Sequence, residues 1–243
     1  SGKSITVIKD GPYLVRGNVP LVRKLQVVSE HGEALTWRKG DPLEVGNTYA
    51  LCRCGQSREQ PFCDGTHIGM DFDGTETADT GLTADRQKVY PGGTHIAAKF
   101  DSHLCMRAGF CANRVSGIKD LVPGTADTNT RSQVIAMIER CPSSALTYAI
   151  EAGEPDIEPD LPQQVAVVTE ITSEGPITGP LWVTGGIPIR RAAGEVLETR
   201  NRVTLCGCGR SRKKPLCDGT HGARTRRSNL AQLGVPVHRQ QTP

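Results

Sequence analysis

The chain of 243 residues is long enough for more than one domain, yet only 37% of its residues are hydrophobic and 4% are aromatic. A formal net charge of +3 gives no overall field for nucleic acid, and no apolar run approaches the ~18 residues needed to cross a bilayer. Small cores of this composition need another stabilising device, and the nine cysteines can supply it.

Cysteine usage depends on the compartment. Residues 1–5 have neither the apolar core nor the cleavage site of a secretory signal, so we expect a cytoplasmic protein. Disulfides rarely persist in a reducing cytosol, where clustered cysteines indicate metal ligands or catalytic thiols. The nine fall into three groups of three: Cys52, Cys54 and Cys63; Cys105, Cys111 and Cys141; Cys206, Cys208 and Cys217.

The N-terminal segment is predicted to be β-structure. Strands are expected at 13–15, 21–28 and 48–51, with turns at 17–20, 32–34 and 39–42. The last of these strands leads directly into Cys52.

A loop with three cysteines and a histidine follows this strand, with Cys52 and Cys54 at the strand end and Cys63 and His67 further on. Thiolates and imidazole nitrogens are the ligands of soft and borderline metals. The spacing of Cys63 and His67 predicts one face of a helix start capped by Asp64. Ligands from two elements favour a two-iron cluster, although three cysteines and a histidine also suit tetrahedral zinc.

The middle of the chain has a different pattern. We expect a linker over 71–93, a strand over 94–100, a helix over 130–140, a strand over 145–150 and a second linker over 151–162. Cys105 and Cys111 precede the helix, and Cys141 with Pro142 ends it, because proline cannot continue a helix.

The first loop recurs late in the chain, after a strand predicted over 165–171. Cys206, Cys208, Cys217 and His221 repeat the spacing of the first four ligands. The repeat also extends upstream, since the Gly-Pro pair at 11–12 recurs at 179–180 and the turn at 17–20 recurs at 185–188. The sequence therefore predicts a duplicated β module rather than a duplicated loop alone.

Both loops read Cys-x-Cys-x2-Ser-x3-Pro-x-Cys-Asp-Gly-Thr-His, which resembles the signature of CDGSH (NEET) iron–sulfur domains. The resemblance implies a [2Fe–2S] cluster in each copy. Cys52 and Cys54 would hold the inner iron and Cys63 and His67 the outer one, with Cys206, Cys208, Cys217 and His221 in the same roles. It also implies two modules, residues 1–75 and 160–225, packed about a two-fold axis within a single chain that is complete as a monomer.

Residues 86–150 resemble the divergent single-cluster ferredoxins through Cys105, Cys111 and Cys141-Pro142. The usual middle ligand is here Ala108, which cannot bind iron. Three thiolates make a [3Fe–4S] cluster the simplest expectation, and a [4Fe–4S] cluster would need a fourth ligand such as water. The alternative is that the three cysteines are buried residues left after cluster loss.

These observations predict an α+β, β-rich fold with two CDGSH modules in an intramolecular pseudo-dimer around a ferredoxin-like domain. Without a nucleotide fingerprint or activated nucleophile, we expect an electron carrier and no enzyme, with cluster or iron transfer and redox sensing as alternatives. The basic stretch Arg212-Lys213-Lys214 suggests an acidic redox partner at the second loop. Residues 226–243 form a basic tail, either solvated or a docking arm.

Overall fold

The computed structural model describes residues 2–222. The prediction for the basic tail at 226–243 lies outside the described residues. The N-terminal segment contains five strands, β1 (Ser4–Val7), β2 (Tyr13–Arg16), β3 (Leu21–Val28), β4 (Ala34–Leu43) and β5 (Thr48–Leu51). The predicted strands at 13–15, 21–28 and 48–51 are thereby confirmed.

The middle segment supplies most of the helix. In chain order it contains α1 (Thr83–Arg86), β6 (Lys88–Val89), β7 (Ala97–Phe100), α2 (Ile118–Leu121), a 3₁₀ turn (Val122–Gly124), α3 (Thr128–Glu139) and β8 (Leu146–Ala149). The predicted helix is α3, and Asp127 caps it by accepting a hydrogen bond from the Thr130 amide at 2.8 Å. The C-terminal segment adds β9 (Gln164–Thr172), β10 (Gly175–Thr184), β11 (Ile189–Arg190) and β12 (Arg202–Leu205).

The two repeated modules exchange strands. One sheet has the order β11-β1-β2-β5 and a second has the order β12-β10-β9-β3-β4. Strand β3 of the first module therefore lies parallel to β9 of the second, from Leu21 opposite Val165 to Leu25 opposite Thr169. Reciprocally, β11 of the second module lies parallel to β1 of the first. The intramolecular pseudo-dimer predicted from the repeat is thus a pair of interlocked modules, each completing the other's sheet.

One predicted turn is wrong. Residues 39–42 lie within β4, where Pro42 is opposite Val22 and Lys39 is opposite Lys24. Strand β4 is the edge of its sheet, and an edge strand tolerates a proline because one side of it needs no ladder hydrogen bond. The register also shifts between Val22 and Lys24. Gly40 and Pro42 thus accompany an irregular edge strand rather than a turn.

The largest of three hydrophobic clusters among residues 2–222 spans all three segments. It includes Val15 of the first module, Val134 and Ile138 of α3, and Val165 and Val183 of the second module, all at most 1% exposed. The small cores expected from composition are therefore largely joined, and two small clusters remain separate, one around Trp182 and one around Phe72. The sheet β6-β7-β8 and helix α3 contribute to the same interior as the interlocked β modules.

A buried arginine joins the middle segment to the second module. Arg202 on β12 is fully buried and donates hydrogen bonds of 2.8 Å to the carbonyl oxygens of Ile138 and Cys141. Its Nε lies 2.7 Å from the Glu158 carboxylate, which balances the buried charge. The segment that carries Cys141 is thereby attached to the strand that leads into Cys206.

None of the helices between residues 2 and 222 combines the length and apolar character that a membrane span would require.

Candidate metal centres

The first ligand loop arranges its four side chains as two pairs. Cys52 Sγ lies 3.8 Å from Cys54 Sγ, and Cys63 Sγ lies 3.4 Å from His67 Nδ1. Two sulfur ligands at ~2.3 Å from one tetrahedral ion lie about 3.8 Å apart, and a sulfur and an imidazole nitrogen about 3.5 Å apart. Each pair therefore spans one edge of a tetrahedral metal site.

The second loop repeats this geometry. Cys206 Sγ lies 3.8 Å from Cys208 Sγ, and Cys217 Sγ lies 3.4 Å from His221 Nδ1. Among residues 2–222, no three His, Cys, Asp or Glu side chains converge on one point as they would around a single ion. The ligands come as pairs, and a [2Fe–2S] cluster, with two irons that each take two protein ligands, fits such pairs.

The residues shared by the two loops, apart from the ligands, hold the loops in shape. The Ser57 hydroxyl donates to the Phe62 carbonyl oxygen at 2.6 Å, and Ser211 donates to the Leu216 carbonyl oxygen at the same distance. The Asp64 carboxylate accepts the amides of Arg58 at 2.9 Å and Thr66 at 3.0 Å. These two amide bonds hold the pKa of Asp64 well below its usual range.

The predicted helix start at Cys63 and His67 is wrong. In this loop residues 66–70 form a turn, and Asp64 accepts the Thr66 amide two residues on rather than capping a helix, whereas the corresponding residues 220–222 of the second loop are helical. Cys63 and His67 still meet, because the turn brings residues four apart as close as a helix would. In the second loop, Asp218 makes the same two bonds, to the amides of Arg212 and Thr220 at 3.0 Å.

The two ligand loops touch each other through reciprocal glycines. A Cβ on Gly55 would lie 2.7 Å from the Cys208 carbonyl oxygen, and a Cβ on Gly209 would lie 2.6 Å from that of Cys54. Both glycines have positive φ, 76° and 75°, as the curl after each Cys-x-Cys pair requires. A side chain at either glycine would collide with the opposite loop, so the two ligand loops are in direct backbone contact here.

The Cys206 and Cys208 pair is prepared for a metal. The hydrogen bond from Cys206 lowers the pKa of Cys208 to about 5, and the same bond raises the pKa of Cys206. One of the two sulfurs is thus a thiolate at neutral pH, and the proton that the other keeps is the one that a metal replaces.

The two histidines have different surroundings. His221 is buried, and its Nε2 lies 3.1 Å from Oε2 of Glu170 on β9. Burial disfavours the charged imidazole, but the hydrogen bonds to Cys217 and Glu170 outweigh it and raise the pKa of His221 to about 10. His67 is half-buried, and among the described residues Cys63 is the only hydrogen-bond partner of its imidazole ring.

The three middle cysteines lie close enough to influence one another. Desolvation raises the pKa of Cys105 and of Cys111, and negative charge on Cys141 raises both further. Cys141 is buried beside α3, Cys105 is half-buried and Cys111 is exposed. The mutual influence of the three thiols indicates that they share one neighbourhood, as a common cluster would require.

The loop that holds Cys105 covers the second CDGSH-like loop. A Cβ on Gly219 would lie 2.6 Å from the Met106 carbonyl oxygen, so these two backbones are in direct contact. Lys213 donates to the carbonyl oxygens of Ser102 and His103 at 3.1 and 3.0 Å. Within residues 2–222 the corresponding glycine of the first loop, Gly65, has open space where a Cβ would lie, and Ile68 beside His67 is 76% exposed.

Sequence reasoning missed Glu170 and Arg202. Hairpin β9–β10 is longer than its counterpart β1–β2, and the extra length carries Glu170. This difference in length could have drawn attention to Glu170. Nothing in the sequence marks Arg202, whose role depends on the packing of α3 against β12.

Comparison with known families agrees with this geometry. The family described as "Iron-binding zinc finger CDGSH type" matches residues 10–68 and 178–222, and the family described as "Divergent 4Fe-4S mono-cluster" matches residues 92–151. The matched ranges contain all eleven candidate ligands. No solved structure matches the chain.

Two curated proteins match a short stretch. Both carry the name "CDGSH iron-sulfur domain-containing protein 3, mitochondrial". The protein from Homo sapiens is 58% identical over 26 residues, which is 11% of this chain and 20% of that protein. The protein from Mus musculus is 58% identical over 26 residues, which is 11% of this chain and 19% of that protein. The match spans about a fifth of each relative's length.

Proposed function

Because the chain carries two CDGSH-type iron-binding segments around a divergent 4Fe–4S mono-cluster segment, we propose that it is an electron-transfer protein with three iron–sulfur centres. Two are [2Fe–2S] clusters and the third is a [3Fe–4S] cluster, with [4Fe–4S] as the alternative if water supplies the ligand that Ala108 cannot. The proposed ligands are Cys52, Cys54, Cys63 and His67 for the first centre, Cys206, Cys208, Cys217 and His221 for the second, and Cys105, Cys111 and Cys141 for the middle one.

The observation that carries this proposal is the direct contact between ligand loops. The middle loop touches the second CDGSH loop where Met106 meets Gly219, and the second touches the first where Cys208 meets Gly55. Bound clusters supply reversible one-electron chemistry. The chain's own contribution is to hold three such centres in series at fixed separations within one core.

The two CDGSH loops differ in exposure, which indicates the end of the series at which a partner protein can exchange electrons. Ser102 and His103, which accept hydrogen bonds from Lys213, cover the second loop together with the linker residues Thr77 and Ala78, whose amides donate to the Lys214 carbonyl oxygen at 2.8 and 3.0 Å. The first loop instead presents His67 beside the exposed side chains of Ile68 and Met70. We therefore place electron exchange with a partner protein at the edge of the first centre.

This position differs from the one suggested by the basic stretch Arg212-Lys213-Lys214. Lys213 and Lys214 both donate to backbone carbonyl oxygens, of Ser102, His103 and Gly209. Their ammonium groups therefore already have partners within the chain. We therefore propose no acidic partner at the second loop. The interlocked modules favour a monomer.

Cluster transfer is the second candidate function, and the surroundings of His67 favour it. A half-buried histidine whose hydrogen bonds go to Cys63 alone leaves its metal more readily than one held on both nitrogens. This activity would belong to the first centre only.

Two mixing experiments separate these functions. Reduced protein mixed with cytochrome c, a one-electron acceptor, should reduce the haem rapidly while the iron–sulfur absorbance returns to its oxidised form. Oxidised protein mixed with an apo-ferredoxin should leave that absorbance on the original chain. Slow haem reduction combined with rapid loading of the apo-ferredoxin would instead establish cluster transfer as the function.

A further inference from the structure

The two CDGSH loops are alike in their ligands but differ in what holds the histidine. In the second loop, Glu170 Oε2 lies 3.1 Å from His221 Nε2, and the two side chains are 12% and 5% exposed. Because Nδ1 of the same ring faces Cys217, Nε2 is the nitrogen left to donate to the carboxylate. A metal-binding imidazole whose other nitrogen donates to a carboxylate is fixed in orientation and becomes a stronger ligand.

The surrounding chain makes room for this carboxylate. Glu170 lies on the part of β9 that extends beyond the length of β1, next to the register shift in β10 between Thr178 and Leu181. A Cβ on Gly179 would lie 3.1 Å from Glu170 Oε1, so a larger residue there would press on the carboxylate. Within residues 2–222 Oε1 is buried without a hydrogen-bond partner, so the local packing is arranged around the bond to His221 rather than around the carboxylate as a whole.

The first loop has no equivalent contact. Its hairpin turns at residues 8–12, where the second continues to residue 172, and the Asp10 carboxylate in that turn accepts the Gly74 amide at 3.0 Å. In the described part of the chain His67 therefore has no carboxylate on Nε2. The asymmetry follows from the hairpin lengths and not from the ligand sets.

We propose that Glu170 is a positioning residue for His221 that makes the two CDGSH centres unequal. A carboxylate on the ligand adds electron density and negative charge beside the second centre, which disfavours the added electron. The second centre therefore has the lower potential and the slower cluster loss, and the first has the higher potential and the faster loss. An electron that enters the series at the middle or second centre comes to rest on the first, at the exposed edge.

This inference rests on the proposed [2Fe–2S] clusters, and one variant tests it. Wild type should show two separate one-electron waves in a redox titration that follows the EPR of the reduced [2Fe–2S] centres. Glu170→Gln keeps the shape of the side chain but removes its charge, so the lower wave should shift up towards the higher one. The slower of two phases of cluster loss should accelerate by about tenfold or more.

The chain supplies a matched control. Glu174 is exposed in the turn of the same hairpin, so Glu174→Gln removes the same charge without touching His221 and should leave both waves in place. The Glu170→Gln shift should also persist in a His67→Cys background and vanish in a His221→Cys background, whereas a merely structural effect would appear in both. Glu170→Asp retains the charge and should move the wave less than Glu170→Gln.

The failures are distinguishable. If both clusters are present but titrate as one wave, or if Glu170→Gln behaves as Glu174→Gln does, the inference is wrong and the proposed function stands. If the protein carries no iron and sulfide, the proposed function itself is wrong.

Discussion

Gly55 and Gly209 have two separate reasons to be glycine. Each adopts a positive φ that costs other residues roughly 1–2 kcal/mol, and each lies against the backbone of the opposite ligand loop. The first reason concerns one loop, while the second concerns the contact between the two centres. A third glycine, Gly65, shows only the first of these features, with φ of 85° and open space where a Cβ would lie.

This comparison gives the first prediction. Gly55→Ala should lower the free energy of unfolding by more than Gly65→Ala, because only the former forces Cys208 and its loop away. The difference should exceed about 1 kcal/mol, and the Gly55 variant should also lose part of its iron. Thermal unfolding and iron analysis of both variants measure this, and equal losses would show that the loops need not touch.

A second residue-scale prediction concerns pH. The pKa of Asp64 is lowered by its two amide bonds, so its contribution to stability is fully present above the ordinary pKa of ~3.9 and is lost only as pH falls through the lower folded value. Asp64 therefore contributes no pH dependence between pH 7 and 5. Cluster loss in this range should come from protonation that releases a histidine ligand from its iron, because imidazole is the ligand type that exchanges protons near neutral pH.

Visible absorbance between pH 8 and 5 measures the effect. The faster phase of loss at low pH should disappear in His67→Cys. Asp64→Asn should keep that phase, and any additional loss relative to wild type should be the same at pH 7 and at pH 5. A wild-type spectrum that is unchanged down to pH 5 would contradict the assignment of His67 as a ligand that protonation releases.

At the scale of elements, Arg202 on β12 gives the third prediction. Arg202→Met removes the donor that satisfies the carbonyl oxygens of Ile138 and Cys141 and leaves Glu158 unpaired, at a cost of about 3–5 kcal/mol. The middle cluster should be lost with it, because Cys141 lies at this attachment. The EPR signal of the middle cluster and the free energy of unfolding are the measurements.

Helix α3 provides the matched variant. Asp127→Ala removes its N-cap bond to the Thr130 amide and should cost only about 1 kcal/mol, with the middle cluster retained. If Asp127→Ala also abolishes the cluster signal, general loss of helix stability rather than the Arg202 attachment would explain the first result.

The elements that the sequence predicts are those whose pattern is local. Strands β2, β3 and β5 and helix α3 follow from periodicity, turn residues and the proline after Cys141. The conformation of residues 39–42 does not follow from the local pattern. Gly40 and Pro42 are compatible with a strand here because β4 is an edge strand, which only the assembled sheet shows. The parallel pairing of β11 with β1 is equally hidden, since β11 has only two residues and its register is set by the opposite module.

The same distinction holds for the candidate site. The eight CDGSH-type ligands are legible in the sequence because both copies keep the spacing that closes the loop. The residues that surround these ligands cannot be identified from the sequence. Glu170 contacts His221 from 51 residues away, and Met106 contacts Gly219 from a separate segment. The candidate ligands can therefore be read from short stretches of sequence, whereas the difference between the surroundings of the two centres depends on how distant segments pack.

At the scale of the whole molecule, the middle segment acts as a cover over one centre only. Its loop at 102–107 and the linker at 77–78 lie on the second CDGSH loop, while the first stays open beside Ile68. A duplicated module would by itself give two equal centres. Under the proposed function, the ferredoxin-like segment between the copies and the longer hairpin of the second would turn that symmetry into an ordered series, whose first loop is the exposed end within residues 2–222.

The central claim is that three iron–sulfur centres share this one chain, and a count of iron and acid-labile sulfide combined with EPR tests it most directly. We expect about seven iron and eight sulfide per chain, with the isotropic signal of an oxidised three-iron cluster. Cys141→Ala should lose about three iron and that signal, leaving about four iron and four sulfide. A colourless protein with stoichiometric zinc and no sulfide would contradict the account.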